Sequence, residues 1–181
     1  AAAPFLSPVG QQRFDTVAAV TSTYVNFSIA APHIESEEYL AMDLLARYLD
    51  MDDVSPLMTA LKGGAGPLAT EASISLVPYA EFSRIEVSAI TDERGQRGYL
   101  NNRYHSQLQG IASHSADPRS IEGIKTTVCA DDIYNSAKLH YYGFMISPYI
   151  MAGGWDFVEN YAENIKAVDW SDCTAVAGNW L

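Results

Sequence analysis

Residues 20–57 limit the fold more than any other part of the sequence, because two periodicities meet within them. Thr23, Val25, Phe27 and Ile29 alternate with Tyr24, Asn26, Ser28 and Ala30, the period-2 pattern of a strand with one buried face. Pro32 cannot donate to a strand ladder and stops the pairing. A helical pattern then takes over, with Leu40, Leu44, Leu45 and Tyr48 forming an apolar stripe. Ser36 is expected to cap this helix, Glu37 and Glu38 to fall in its first turn, and Arg47 in its last, each favourable to the helix dipole. Such a helix is stable only against apolar surface, and the buried face of the strand supplies it.

The later pattern completes that layer. Ala72, Ile74 and Leu76 alternate with Glu71, Ser73 and Ser75; after Pro78, Ile85, Val87 and Ala89 alternate with Arg84, Glu86 and Ser88. This predicts a hairpin of two half-buried antiparallel strands. Between the first helix and the hairpin, an acidic turn over residues 50–54 leads to Ser55 and Pro56, which open a short helix through Leu57 and Leu61; the glycine-rich residues 62–67 end it. Helical spacing returns after Gly95 and Gly98, with Leu100, Tyr104, Leu108 and Ile111 on one face. Asp117 and Pro118 start a further helix carrying Ile121, Ile124 and Val128. The helical pattern continues toward Met145 and is interrupted at Ser147-Pro148 and at Gly153-Gly154. Trp155, Val158, Tyr161 and Ile165 define the next apolar stripe, and Asp169 with Asp172 forms a capping-box pair for a last helix. Strands first and helices later indicate an α+β fold, an antiparallel sheet with helices on one face. Residues 1–16, with Pro4, Pro8 and Gly10, read as a linker leading into one domain that fills the chain.

Charge narrows the partners. The chain has 181 residues, 48% of them hydrophobic and 18% charged, with a net charge of -11. That composition builds a core and repels a phosphate backbone, so no nucleic-acid partner is expected. It suits a soluble acidic protein or one that attracts basic peptides. No apolar run approaches the ~20 residues of a membrane span, and the first residues lack the basic start and apolar middle of a signal peptide. Cys129 and Cys173 both fall in helical patterns and read as buried thiols, although a disulfide between them stays open.

Two regions carry a resemblance. The strand ends in Ala30-Ala31-Pro32, an acidic link follows, and the helix leads through a turn to Ser55-Pro56-Leu57. Near the other end, Gly153-Gly154-Trp155-Asp156 opens a helix, followed by Ile165-Lys166-Ala167-Val168 and the helix after Asp169. In order and spacing these resemble the pitrilysin/insulysin-type zinc metallopeptidases, the inverzincin superfamily that includes the mitochondrial processing peptidase. The resemblance implies a metallopeptidase half-domain of the LuxS/MPP-like kind. It also implies a larger protein, since domains of the family add one more edge strand after their final helix.

The family's chemistry rests on H-x-x-E-H, two histidines one helical turn apart that hold zinc and a glutamate that activates water. None of His33, His105, His114 and His140 has a partner at that spacing. The resemblance therefore implies a domain with no catalytic residue, metal or cofactor of its own, the zinc belonging to a catalytic half on the same or another chain. Such a domain would complete a peptide-binding chamber; the alternative is a non-proteolytic structural or binding subunit of the same fold. In the family's zinc-less half, Ser-x-Leu-x-x-x-Leu-Arg precedes a loop bearing a tyrosine, and the arginine and tyrosine reach the substrate. Ser55, Leu57, Leu61 and Gly66 match; Lys62 stands at the arginine position and Ala69 at the tyrosine position. Lys62, charged but without a bidentate fork, is the one candidate substrate contact.

Other constellations have plainer readings. His33-Ile34-Glu35 lacks the downstream cysteine pair of a deaminase. Asp52-Asp53 and Asp131-Asp132 read as helix caps or solvated faces, and residues 63–66 lack the frame of a phosphate loop. No serine sits in a nucleophile elbow, so an independent enzyme is the weakest reading. Tyr141-Tyr142-Gly143-Phe144 reads as core packing in preference to an interaction surface.

Overall fold

Alternation along three strands produces a sheet with two unlike faces. In the computed structural model, which describes residues 14–17, 19–64, 66–92 and 97–181, β1 (Thr23–Ala31), β2 (Glu71–Pro78) and β3 (Ser83–Thr91) form an antiparallel sheet in the order β1-β3-β2. Register places Phe27 and Ile74 on either side of Val87, and Ile29 and Leu76 on either side of Ile85. One apolar patch thus spans the sheet. Ile74, Leu76, Ile85, Val87 and Val25 are buried, while Phe27 and Ile29 on the β1 edge are only partly covered. The hairpin closes through residues 79–82, where the Tyr79 N–H donates to Phe82 O at 2.8 Å and the two rings stack 4.7 Å apart.

Helix α1 (Tyr39–Leu49) lies on that patch and is buried nearly all round: Met42, Leu44, Leu45 and Leu49 have no exposed surface. The expected single stripe was too narrow, and Leu40 within it is only partly buried. The helix also begins later than Ser36. Ser36 Oγ accepts from Glu38 N–H at 3.2 Å, a turn that holds Glu37 and Glu38 ahead of the first turn. Glu38 has another partner set: its carboxylate accepts from Asn179 Nδ2 at 2.7 Å and Trp180 Nε1 at 3.0 Å.

The remaining helices cover α1 and the same sheet face. In α2 (Pro56–Lys62) the buried Ser55 accepts from Met58 N–H at 3.0 Å and donates to Leu49 O at 2.7 Å, so one hydroxyl caps α2 and ties it to α1. Tyr104, on α3 (Arg97–Gly110), packs edge-on against Phe27 at 5.0 Å and donates to Ser88 O at 3.1 Å. A short 3-10 turn (Ile111–Ser113) precedes α4 (Pro118–Ser136), whose cap is Asp117 as expected. Helix α5 (Leu139–Lys166) contains Pro148 and breaks at Gly154, where φ is 77° and ψ 178°. Helix α6 (Trp170–Trp180) starts on the Asp169–Asp172 capping box.

Several sequence expectations change. Trp155 leads the second arm of α5 but is half exposed, because the break at Gly154 turns it out of the stripe; Phe157, Tyr161 and Ile165 carry the packing. Tyr141 and Phe144 are 65% and 75% exposed, so the aromatic run is not core. Cys173 is buried and Cys129 only half buried, and both thiols are free. Residues 1–13 of the expected linker, and Gly95, lie outside the described residues. Among the described residues no helix is long and apolar enough to cross a membrane.

Two substitutions test this packing. Leu44→Ala removes a fully buried side chain and is expected to cost about 2–5 kcal/mol in denaturant unfolding; an unchanged midpoint would mean the helix face is misassigned. Gly154→Ala places a Cβ in a conformation that glycine alone tolerates, at about 1–3 kcal/mol, read as a lowered thermal midpoint.

Candidate functional site: the open face of the sheet

Because helices cover one face, the alternate residues of every strand look outward. Asn26, Ser28, Ser73 and Ser75 are exposed on the two edge strands, and Arg84, Glu86 and Ser88 are half exposed on the central one. These side chains line a hollow of about 380 Å³. Within it Ser73 and Ser88 share a hydrogen bond of 2.8 Å across the ladder. Arg84 Nε donates to Glu86 Oε1 at 2.6 Å, the Tyr79 hydroxyl donates to the same oxygen at 3.3 Å, and the Arg84 guanidinium lies 4.9 Å from the centre of the Tyr79 ring. The one cation and one anion cancel, leaving a neutral row of hydroxyls and an amide. None of the lining residues is a histidine or cysteine, and the one carboxylate, Glu86, is engaged by Arg84 and the Tyr79 hydroxyl and is not hydrogen-bonded to a serine. The arrangement can offer hydrogen bonds; it holds no nucleophile–base pair.

Lys62 is not among the residues lining the hollow. It ends α2, is about a quarter exposed, and its ammonium pairs with Asp52. Next to it, Asp50 accepts the Ile74 N–H at 2.9 Å and so fastens β2 to the end of α1. Burial pushes the Asp50 carboxyl above its ordinary range, opposed by the Ile74 N–H. Ala69 is buried, its N–H bonded to Leu61 O at 3.0 Å.

The histidines have structural partners. His33 Nδ1 accepts from Glu35 N–H, which leaves Nε2 to donate to Ala80 O at 3.2 Å. His114 shares a 2.9 Å hydrogen bond with the Tyr48 hydroxyl, and its carbonyl accepts from Trp170 Nε1. His105 packs against Phe27, and the His140 side chain lies outside the described residues. Among the described residues no three His, Cys, Asp or Glu side chains converge as a metal site. Burial, with Asp172 nearby, raises the Cys173 thiol to about 12 and keeps it protonated.

Asp43 is among the buried polar groups that sequence reasoning missed. It is 6% exposed inside α1; its carboxylate takes Arg47 Nε at 3.0 Å and the Tyr161 hydroxyl from α5. Burial first, then the Asp43 charge, raises Tyr161 well above the ordinary tyrosine range, so it remains a donor. The available signal was an Asp and an Arg four residues apart within an otherwise apolar helix.

These two networks should differ in energy. Asp43→Ala strands the Tyr161 hydroxyl and is expected to cost about 1–3 kcal/mol. Glu86→Ala breaks a solvent-exposed pair and should stay within about 1 kcal/mol. Urea unfolding of both variants checks the contrast.

The fold has relatives among solved structures. The chain superposes on the inactive peptidase domain of a candidate zinc protease from Bordetella parapertussis with a TM-score of 0.74 at 16% identity, over 95% of this chain and 90% of that one. A protease from Helicobacter pylori gives a TM-score of 0.78 at 18% identity, over 91% of this chain and 39% of that one. A chain of Complex III2 from Candida albicans gives 0.63 at 14% identity, over 90% and 40%. No protein-family profile matches the sequence, and no curated protein does. The likeness is one of architecture: the chain has the α+β fold of that inactive peptidase domain.

Proposed function

We propose that this chain is a non-catalytic half-domain that completes a peptide-binding chamber with a separate catalytic, zinc-bearing half. The observation carrying this reading is the one-sided helical cover, which leaves a whole sheet face open and lined with Ser28, Ser73, Ser75, Ser88 and Asn26. Hydroxyls and amides both donate and accept, and so suit the alternating N–H and C=O groups of an extended peptide. Neutral walls bind backbone without selecting for charge, and selection is left to the surrounding field. With a net charge of -11 that field favours basic peptides. Lys62, the last residue of α2, is the proposed contact to a substrate carbonyl. In this reading the chemistry belongs to the other half, and the open face contributes binding through its hydroxyls and amide.

A second reading is a structural or binding subunit without proteolysis. The likeness to a Complex III2 chain favours it.

Reconstitution with a half that carries H-x-x-E-H separates the two. Adding this chain is expected to raise cleavage of basic over acidic peptides, with the difference shrinking at high salt. Ser75→Arg, which fills the open face, should lower cleavage about tenfold, corresponding to ~1.4 kcal/mol; Lys62→Ala should lower it less, and Lys62→Arg should restore it. If the chain alters neither cleavage nor peptide binding, the structural reading replaces the chamber.

A further inference from the structure

The aromatic run of α5 is exposed where a core was expected, and it does not stand alone. Ile133 and Tyr134 at the end of α4 are 73% and 61% exposed, and Met145 and Met151 of α5 are 51% and 79% exposed. Single exposed apolar residues are ordinary, but a run of them on two packed helices marks an interaction surface.

At this surface the bend in α5 opens a cavity of about 200 Å³. A straight helix could offer it one arm; the break at Gly154 lets both arms contribute. Tyr142 and Tyr149 come from the first arm, Phe157 and Tyr161 from the second, and α4 closes the remaining side. The volume is below the ~300 Å³ at which sites for drug-sized molecules begin. It suits a single side chain.

Charge decides which one. Arg47 reaches the cavity, but its charge is met by Asp43 at 3.0 Å. Lys138 is engaged over the Tyr134 ring, 3.8 Å from its centre. Asp131 and Asp132 line the cavity, are exposed to solvent, and pair with no basic side chain among the described residues. Aromatic walls with two uncompensated carboxylates at the opening favour a cation on an apolar stem. The exposed apolar residues alongside would be left idle by a small ion, whereas a polypeptide continuing past its anchor would cover them.

We propose that the bend of α5 is a recognition site for a lysine or arginine side chain of a partner polypeptide, whose flanking apolar residues lie on the exposed surface of α4 and α5. The site shares no residue with the open sheet face, so it neither rests on the chamber reading nor supports it.

Fluorescence anisotropy with the full chain tests the proposal. The probes are fluorescein-labelled Ser-Leu-Arg-Leu-Ser and its counterparts with glutamine or glutamate in place of arginine, with N-butylguanidinium as a free-cation competitor. The arginine peptide is expected to bind about tenfold or more tightly than the glutamine peptide, and the glutamate peptide least. D131N combined with D132N, on an exposed helix surface, should weaken the arginine peptide about tenfold with unchanged circular dichroism; Tyr142→Ala should do the same. Glu81→Gln, a charge-matched change in the exposed turn between β2 and β3 that lines neither hollow, should leave binding unaltered. Equal binding of the arginine and glutamine peptides, no effect of the double substitution, or no binding at all overturns the proposal. So does N-butylguanidinium binding as tightly as the peptide, which would make the occupant a small cation.

Discussion

Helix α1 is buried on almost every side, and a helix of that kind needs two covers. The sheet supplies one through Ile74, Leu76, Ile85 and Val87; α4, α5 and α6 supply the other. Burying a helix all round leaves no wet side for polar groups, yet α1 carries Asp43 and Arg47. Desolvating a carboxylate is costly unless it is paired and hydrogen-bonded. Arg47 and the Tyr161 hydroxyl do both, which also fixes α5 against α1. Capping groups perform a similar double duty elsewhere: Ser55 joins α2 to α1, and Glu38 joins the end of α6 to the start of α1. The layers are held in register by polar contacts at the ends of helices whose sides are apolar.

Features encoded by short-range chemistry were legible from sequence. Period-2 alternation gave all three strands, since a strand with one dry face has no other way to sort its side chains. Ser55-Pro56, Asp117-Pro118 and Asp169 with Asp172 marked helix starts because the cap bond forms within a few residues. What failed depended on distant partners. Ser36 had the chemistry of a cap, but Glu38 is drawn to Asn179 and Trp180, far away in sequence, and the helix starts after it. Trp155 fitted the helical stripe, yet the positive φ at Gly154 redirects it, and a Gly-Gly pair reveals a break without giving its angle. For the site, the rows of serine were visible, but that they share one uncovered face required the register of β1 and β2 on β3. The aromatic run was misread because hydrophobicity alone cannot distinguish a core from a surface awaiting cover.

The two surfaces singled out here differ in chemistry as well as position. The sheet face is neutral, polar and broad, with its one ion pair internally closed. The hollow at the α5 bend is aromatic, narrow and edged with unpaired acid. A neutral polar wall tolerates many sequences because it addresses backbone, whereas a narrow acidic slot addresses one side-chain type. The fold supports both because its helices lie on one side only: the sheet is free to face one partner while the helical layer faces another.

Sheet order has a further consequence for how the chain acquires its structure. Strands β2 and β3 meet through a short turn, but among the described residues β1 pairs with β3 alone, Thr23 opposite Thr91. During synthesis β1 therefore leaves the ribosome long before any strand exists to receive it, and closing that long loop carries an entropic cost the hairpin does not. The helix that follows β1 is in the same position, since its sheet-side cover is also made later. The hairpin is the natural template, with β1 and α1 settling on it afterwards. Until β3 emerges, Val25, Phe27 and Ile29 form an apolar edge without a partner, the part of this chain most dependent on prompt completion of synthesis.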